Sequence, residues 1–92
     1  VLAVATVDVA KKEVLAGPDI LSRGFVYMRE SGEMINEAQQ ILFRALREVL
    51  NQPDPTEHKL REAMSSALQP FLFEKTERHP MILSMIMTPD DL

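Results

Sequence analysis

Two histidines and a handful of closely spaced carboxylates are the side chains in this sequence best suited to chemistry. A zinc site needs three or four converging N, S or O ligands, and a general base must reach the proton it removes. His58 follows Glu57 and falls opposite Leu60 on the helix expected there, and so toward solvent. His79 sits between Arg78 and Pro80, five residues after Glu74. Neither spacing gathers a ligand set or an acid–base pair. Glu33 and Glu37 lie four apart, and Asp90 and Asp91 are adjacent, patterns that solvated surface charge explains. With 3 glycines, 2 histidines and no cysteine, the chain builds no phosphate-cradling loop, nucleophile elbow, thiolate site or disulfide. We therefore expect no catalytic, metal-binding or cofactor-binding residue. The absence of cysteine fits a reducing cytoplasm.

Polar recognition is the second chemistry to weigh. In Ser22-Arg23-Gly24-Phe25, the arginine can hold a phosphate while Phe25 or Tyr27 stacks on a base, as single-strand binders do. Arg29, Lys75 and Arg78 complete that candidate set of RNA contacts. The opposing reading has Gly24 serving the backbone, Phe25 and Tyr27 packing, and Arg23 pairing with Asp19 or a carbonyl. Charge supports the second: 10 Lys and Arg against 14 Asp and Glu leave a net −4, and aromatics make up 5% of residues. A domain that grips a phosphate backbone alone usually shows a basic face. Pairs four residues apart on helices, Arg44 with Glu48, Glu57 with Arg61 and Glu74 with Arg78, account for several of the cations.

The elements that must position these groups read strand, strand, strand, helix, helix, strand. Residues 1–9 are rich in Val and Ala, with Thr6 and Asp8 on one parity, which fits a strand with two unlike faces. A turn at Ala10-Lys11-Lys12 returns a second strand near 13–16, which Gly17-Pro18-Asp19 is expected to end. Phe25–Met28 predicts a third strand. Met34, Ile35, Ala38, Ile41, Leu42, Ala45, Leu46, Val49 and Leu50 form one apolar stripe and predict a helix over 32–50, with Ser31 as its cap. Asp54-Pro55-Thr56-Glu57 starts a second helix with Asp54 at the cap, Pro55 at the first helical position and the stripe Leu60, Met64, Ala67, Leu68, Phe71, Leu72. Pro70 falls inside it and predicts a bend, and Phe73 points away from the stripe.

The closing run, Met81 to Met87, holds six apolar residues in seven between Pro80 and Pro89. It fits a strand covered on both faces. Two single-striped helices cover one face of a small sheet, and the sequence holds nothing to cover the other. The uncovered face is therefore expected to meet a protein partner, with Phe73, Ile82, Ser84 and Ile86 at the interface and the methionines 81, 85 and 87 suited to adaptable contact. The fold expected is α+β, a three- to four-stranded sheet backed on one face by two antiparallel helices. At 92 residues it is a single domain with a thin core. No run is long and apolar enough for a membrane span. Val1 opens an apolar run without an initiator Met, so a fragment of a longer polypeptide is expected.

The stretch Gly17-Pro18-Asp19-Ile20-Leu21-Ser22-Arg23-Gly24-Phe25-Val26-Tyr27-Met28-Arg29-Glu30, with Phe71-Leu72-Phe73-Glu74-Lys75-Thr76 and Arg78-His79-Pro80-Met81-Ile82-Leu83, resembles the C-terminal domain of the bacterial ribonuclease J family. The resemblance spans nearly all of 1–92 and departs from the family's pattern at Pro70 and at Ser84, where such strands more often carry Pro. It implies a C-terminal accessory domain of an RNA-processing and RNA-decay enzyme. Cleavage would be carried out on zinc or manganese by metallo-β-lactamase and β-CASP domains elsewhere in the parent chain. The domain itself would support those domains or join protomers in a homo-oligomer. The alternative is a module that guides single-stranded RNA to the catalytic site.

Overall fold

The computed structural model describes residues 1–21 and 32–89. The strand expected at Phe25–Met28, the cap expected at Ser31 and the residues Arg23, Arg29, Asp90 and Asp91 lie outside the described residues. Three strands and two helices follow in the order β1 (Leu2–Asp8), β2 (Glu13–Leu21), α1 (Gly32–Leu50), α2 (Glu57–Thr76), β3 (Leu83–Met87). The sheet order is β2-β1-β3, with β1 antiparallel to β2 and parallel to β3. The α+β architecture is thus as expected from the sequence.

The turn between β1 and β2 is closed by short-range polar contacts. The Lys11 amide donates to the Asp8 carboxylate at 3.1 Å and the Lys12 amide to the Val9 carbonyl at 3.2 Å. Lys12 takes a left-handed φ of 56° there. Its ammonium reaches the Gln52 carbonyl at 3.3 Å and ties this turn to the connection between the helices.

The sequence predicts that Gly17-Pro18-Asp19 ends β2, and here the structure differs. β2 runs on to Leu21, with Val4 opposite Asp19 and Leu2 opposite Leu21. Register irregularities on either side of the Thr6–Ala16 pair absorb the Gly-Pro step, so the strand bends and resumes pairing. Gly17 sits at φ +83°, and a Cβ placed on it would lie 2.9 Å from the Val4 carbonyl oxygen. Only glycine fits that approach.

Helix α1 occupies the span its stripe predicts, and Ala38, Leu42, Leu46, Val49 and Leu50 are its buried residues. Helix α2 starts two residues later than the Asp54-Pro55 reading. Thr56 is its cap, with extended backbone and a hydroxyl that accepts from the Lys59 amide at 3.1 Å. Asp54 instead offers its carbonyl to the Lys59 ammonium at 2.9 Å.

Pro70 does not end α2, which runs through it to Thr76. Pro70 is exposed, on the side away from Leu68, Phe71 and Leu72. The Ser66 carbonyl that would have bonded to it also belongs to an exposed residue, so water can replace the missing donor. Glu77 closes the helix at φ 57°, its amide donating to the Phe73 carbonyl at 2.7 Å.

The core lies between the helices and one face of the sheet. Ala3, Ala5 and Val7 of β1 and Ile86 of β3 meet Leu42, Leu46 and Leu50 of α1 and Leu60, Met64, Leu68 and Leu72 of α2. The alanines at the centre of the sheet leave room for the large helix side chains, and α1 lies over β2 while α2 lies over β3.

Candidate functional site

The other face of the sheet is built by strand pairing alone. Residues paired across neighbouring strands share a face, so the registers define rows: Leu21–Leu2–Leu83, then Asp19–Val4–Met85, then Ala16–Thr6–Met87, then Glu13 beside Asp8. Leu21, Leu83 and Met85 are 57%, 59% and 49% exposed. At the leucine end the Val1 nitrogen donates to the Met81 carbonyl at 3.0 Å and the Leu83 amide to the Val1 carbonyl at 2.9 Å. These bonds place Met81 beside Val1 and leave a shallow recess of about 300 Å³ lined by Val1, Leu2, Leu21, Met81 and Leu83. The face therefore runs from an apolar end to an acidic end carrying Asp8 and Glu13, with Asp19 at the β2 side of the apolar half.

Three of the interface residues read from the sequence, Ile82, Ser84 and Ile86, lie on the helix side of the sheet. Ile86 is 8% exposed and belongs to the core, and Ile82 packs against it. Ser84 also faces the helices, its hydroxyl 2.7 Å from that of Ser65 on α2. The outward residues of the closing strand are thus Leu83, Met85 and Met87, opposite in parity to Ile82, Ser84 and Ile86. Phe73 does point away from the core, and its ring stacks on His79 with centroids 4.4 Å apart and planes 12° from parallel. Gln69 approaches the His79 Nδ1 at 3.4 Å.

The candidate RNA contacts do not converge among the described residues. The Lys75 ammonium lies 3.5 Å from the Glu37 carboxylate and 5.8 Å from the centre of the Phe71 ring. The Arg78 amide donates to the Thr76 hydroxyl at 3.2 Å, beyond the end of α2. His58 pairs with Glu62 at 3.2 Å on an exposed helix face. Arg44 and Arg61 line two separate open grooves. Among the described residues no three His, Cys, Asp or Glu side chains group as a metal site would require, and no helix is long and apolar enough to cross a membrane.

One groove was not anticipated from the sequence. It measures about 570 Å³ and runs between the Gly17-Pro18-Asp19 edge of β2 and the Asn36, Gln39, Gln40, Phe43 and Arg44 side of α1. The signal was present as a second stripe, with 36, 39/40 and 43/44 at helical spacing beside the apolar one.

The chain is similar in sequence to known proteins over nearly its whole length. The profile of the ribonuclease J C-terminal domain matches residues 1–88. The chain is 57% identical over 90 residues to ribonuclease J 1 of Streptococcus pyogenes, covering 98% of this chain and 16% of that protein. It is 41% identical over 86 residues to ribonuclease J2 of Bacillus subtilis, covering 94% and 16%. With ribonuclease J 2 of Staphylococcus epidermidis it shares 38% over 85 residues, covering 92% and 15%. The chain thus spans about a sixth of the length of these curated relatives.

Proposed function

Since this chain belongs to the ribonuclease J C-terminal domain family, we propose that it is the docking domain of an RNA-processing enzyme, holding the folded remainder of such a polypeptide, its own or a second copy's, against its outward sheet face. Catalysis belongs to the remaining domains, on zinc or manganese.

One observation carries this reading: a contiguous apolar row, Leu21–Leu2–Leu83 with Met85 and Met81 beside it, stands on a face that neither helix covers. Exposed apolar residues are ordinary when scattered, whereas a continuous patch rimmed by charge is the pattern of a contact site. Met81 and Met85 supply side chains that adapt to an irregular partner surface. This pattern asks for a partner that is apolar opposite the leucines and basic opposite Asp8 and Glu13.

The test is Leu83→Glu with Met85→Glu in the full-length polypeptide. A lower sedimentation mass means that the face joins two copies. An unchanged mass with faster protease cleavage around this domain means that it docks within one chain. Unchanged mass and unchanged cleavage overturn the reading.

A further inference from the structure

The groove between α1 and β2 lies beside that docking face and borders it at Asp19. Asn36, Gln40, Phe43 and Arg44 are exposed along α1, and Gln39 is half-buried beside them. At spacings of three, four, seven and eight residues from Asn36 they form one continuous stripe. Three carboxamides stand at its N-terminal part. The 41% exposed ring of Phe43 follows, then Arg44, and the Arg47 guanidinium lies 5.9 Å from the Phe43 ring centre. Amide, aromatic and guanidinium groups are thus ordered along one wall, and Gly17, Pro18 and Asp19 at the edge of β2 form the other, so a bound phosphate must lie on the arginine side, away from the Asp19 carboxylate.

Each of these groups has a defined partner chemistry. A carboxamide offers a donor and an acceptor side by side, which matches the N6 amino group and ring nitrogen of adenine. An exposed phenyl ring stacks on a base, and guanidinium groups take phosphate oxygens. The groove volume falls within the range of small-molecule sites. Lys75 neutralises Glu37, the carboxylate next to Asn36 in sequence, at 3.5 Å. We infer that this groove binds an unpaired adenine nucleotide of RNA, with the base stacked on Phe43, its amino edge read by Gln39 and Gln40, and the phosphates held by Arg44 and Arg47. The inference rests on membership of a ribonuclease family and on the α1 wall, which the docking reading does not use. A peptide strand laid along the β2 edge is the competing occupant. It is less favoured because the helix wall is polar and cationic where a peptide's alternate side chains would need apolar pockets.

The experiment uses the full-length polypeptide and a short, nuclease-resistant, uridine-rich RNA carrying one central adenosine, or in its place purine riboside, which lacks the amino group. Wild type is expected to prefer adenosine by roughly tenfold, and Gln39→Leu with Gln40→Leu to abolish the preference. Phe43→Ala should weaken both RNAs by roughly tenfold. An 8-azidoadenosine probe should crosslink to the peptide containing residues 36–47. The inference is overturned if no crosslink maps there, or if the preference is absent or survives the double substitution in a folded protein. It is equally overturned if these variants change sedimentation mass while RNA binding is intact, which would mark the groove as a protein contact. The docking reading is judged separately by Leu83→Glu with Met85→Glu.

Discussion

The hydroxyls of Ser65 and Ser84 meet at 2.7 Å, a half-buried bond that joins α2 to the closing strand β3. Among the described residues, Ser84 also lies on an outer strand of the sheet. Because the Leu83 amide donates to Val1, the residue before β1, the N–H and C=O of Ser84, one residue on, point the other way, away from β1.

Ser84→Ala should therefore lower stability by about 1 kcal/mol, the loss of one side-chain hydrogen bond with Ser65 left unpaired. Ser84→Pro should cost about the same, since proline there removes no ladder donor. Urea denaturation of the two variants side by side checks this. A Pro variant much weaker than the Ala variant would show that the Ser84 N–H is bonded after all.

Gly17→Ala should be costlier. The new Cβ would meet the Val4 carbonyl oxygen at 2.9 Å, a backbone atom that cannot swing aside, and φ +83° is strained for alanine. A loss of about 2 kcal/mol or more is expected, combining close contact with an unfavourable backbone region. Thermal melts of the variant read it directly, and unaltered stability would mean that β2 does not hold its irregular pairing with β1.

Much of this fold is legible in the sequence, and the exceptions have physical causes. The α1 stripe extends over five turns, so its period admits one reading, and the helix appears at 32–50. The start of α2 is ambiguous because Asp54 and Thr56 both satisfy the capping rule, and only the Thr56–Lys59 geometry decides. At Gly17-Pro18, local turn chemistry gives way to pairing with β1, a contact distant from the dipeptide. In β3 both parities are apolar, so no polarity contrast marks the buried side. Ser84 reads as the outward residue, yet a hydroxyl can be buried wherever a partner such as Ser65 waits. The uncovered face is therefore foreseeable as a face and by its methionines, while its leucines are not.

The helix ends allow a stabilising change. Glu77 holds a left-handed φ of 57° at the end of α2, where glycine is at no disadvantage. Glu77→Gly should be neutral to mildly stabilising, within about 1 kcal/mol, whereas Thr56→Ala at the other end should cost about 1 kcal/mol through the lost bond to the Lys59 amide. A lowered denaturation midpoint is expected for Thr56→Ala and an unchanged or raised one for Glu77→Gly, and a destabilised Glu77→Gly would show that the left-handed cap is not populated in solution.

The parity of β3 separates core from contact surface most cleanly. Ile86 is 8% exposed and belongs to the core, whereas Met85, the preceding residue, is 49% exposed on the opposite face. A carboxylate at 86 would be buried with no cationic partner among the core residues, so Ile86→Glu should cost more than about 3 kcal/mol and leave the chain largely unfolded. Met85→Glu places the same charge in water and should change the stability of this domain by less than about 0.5 kcal/mol. Circular dichroism melts distinguish the two at once. If both substitutions unfold the chain, the outward face is packed rather than open and the docking reading loses its surface. If neither does, Ile86 is not part of the core and the strand registers assigned here are wrong by one residue.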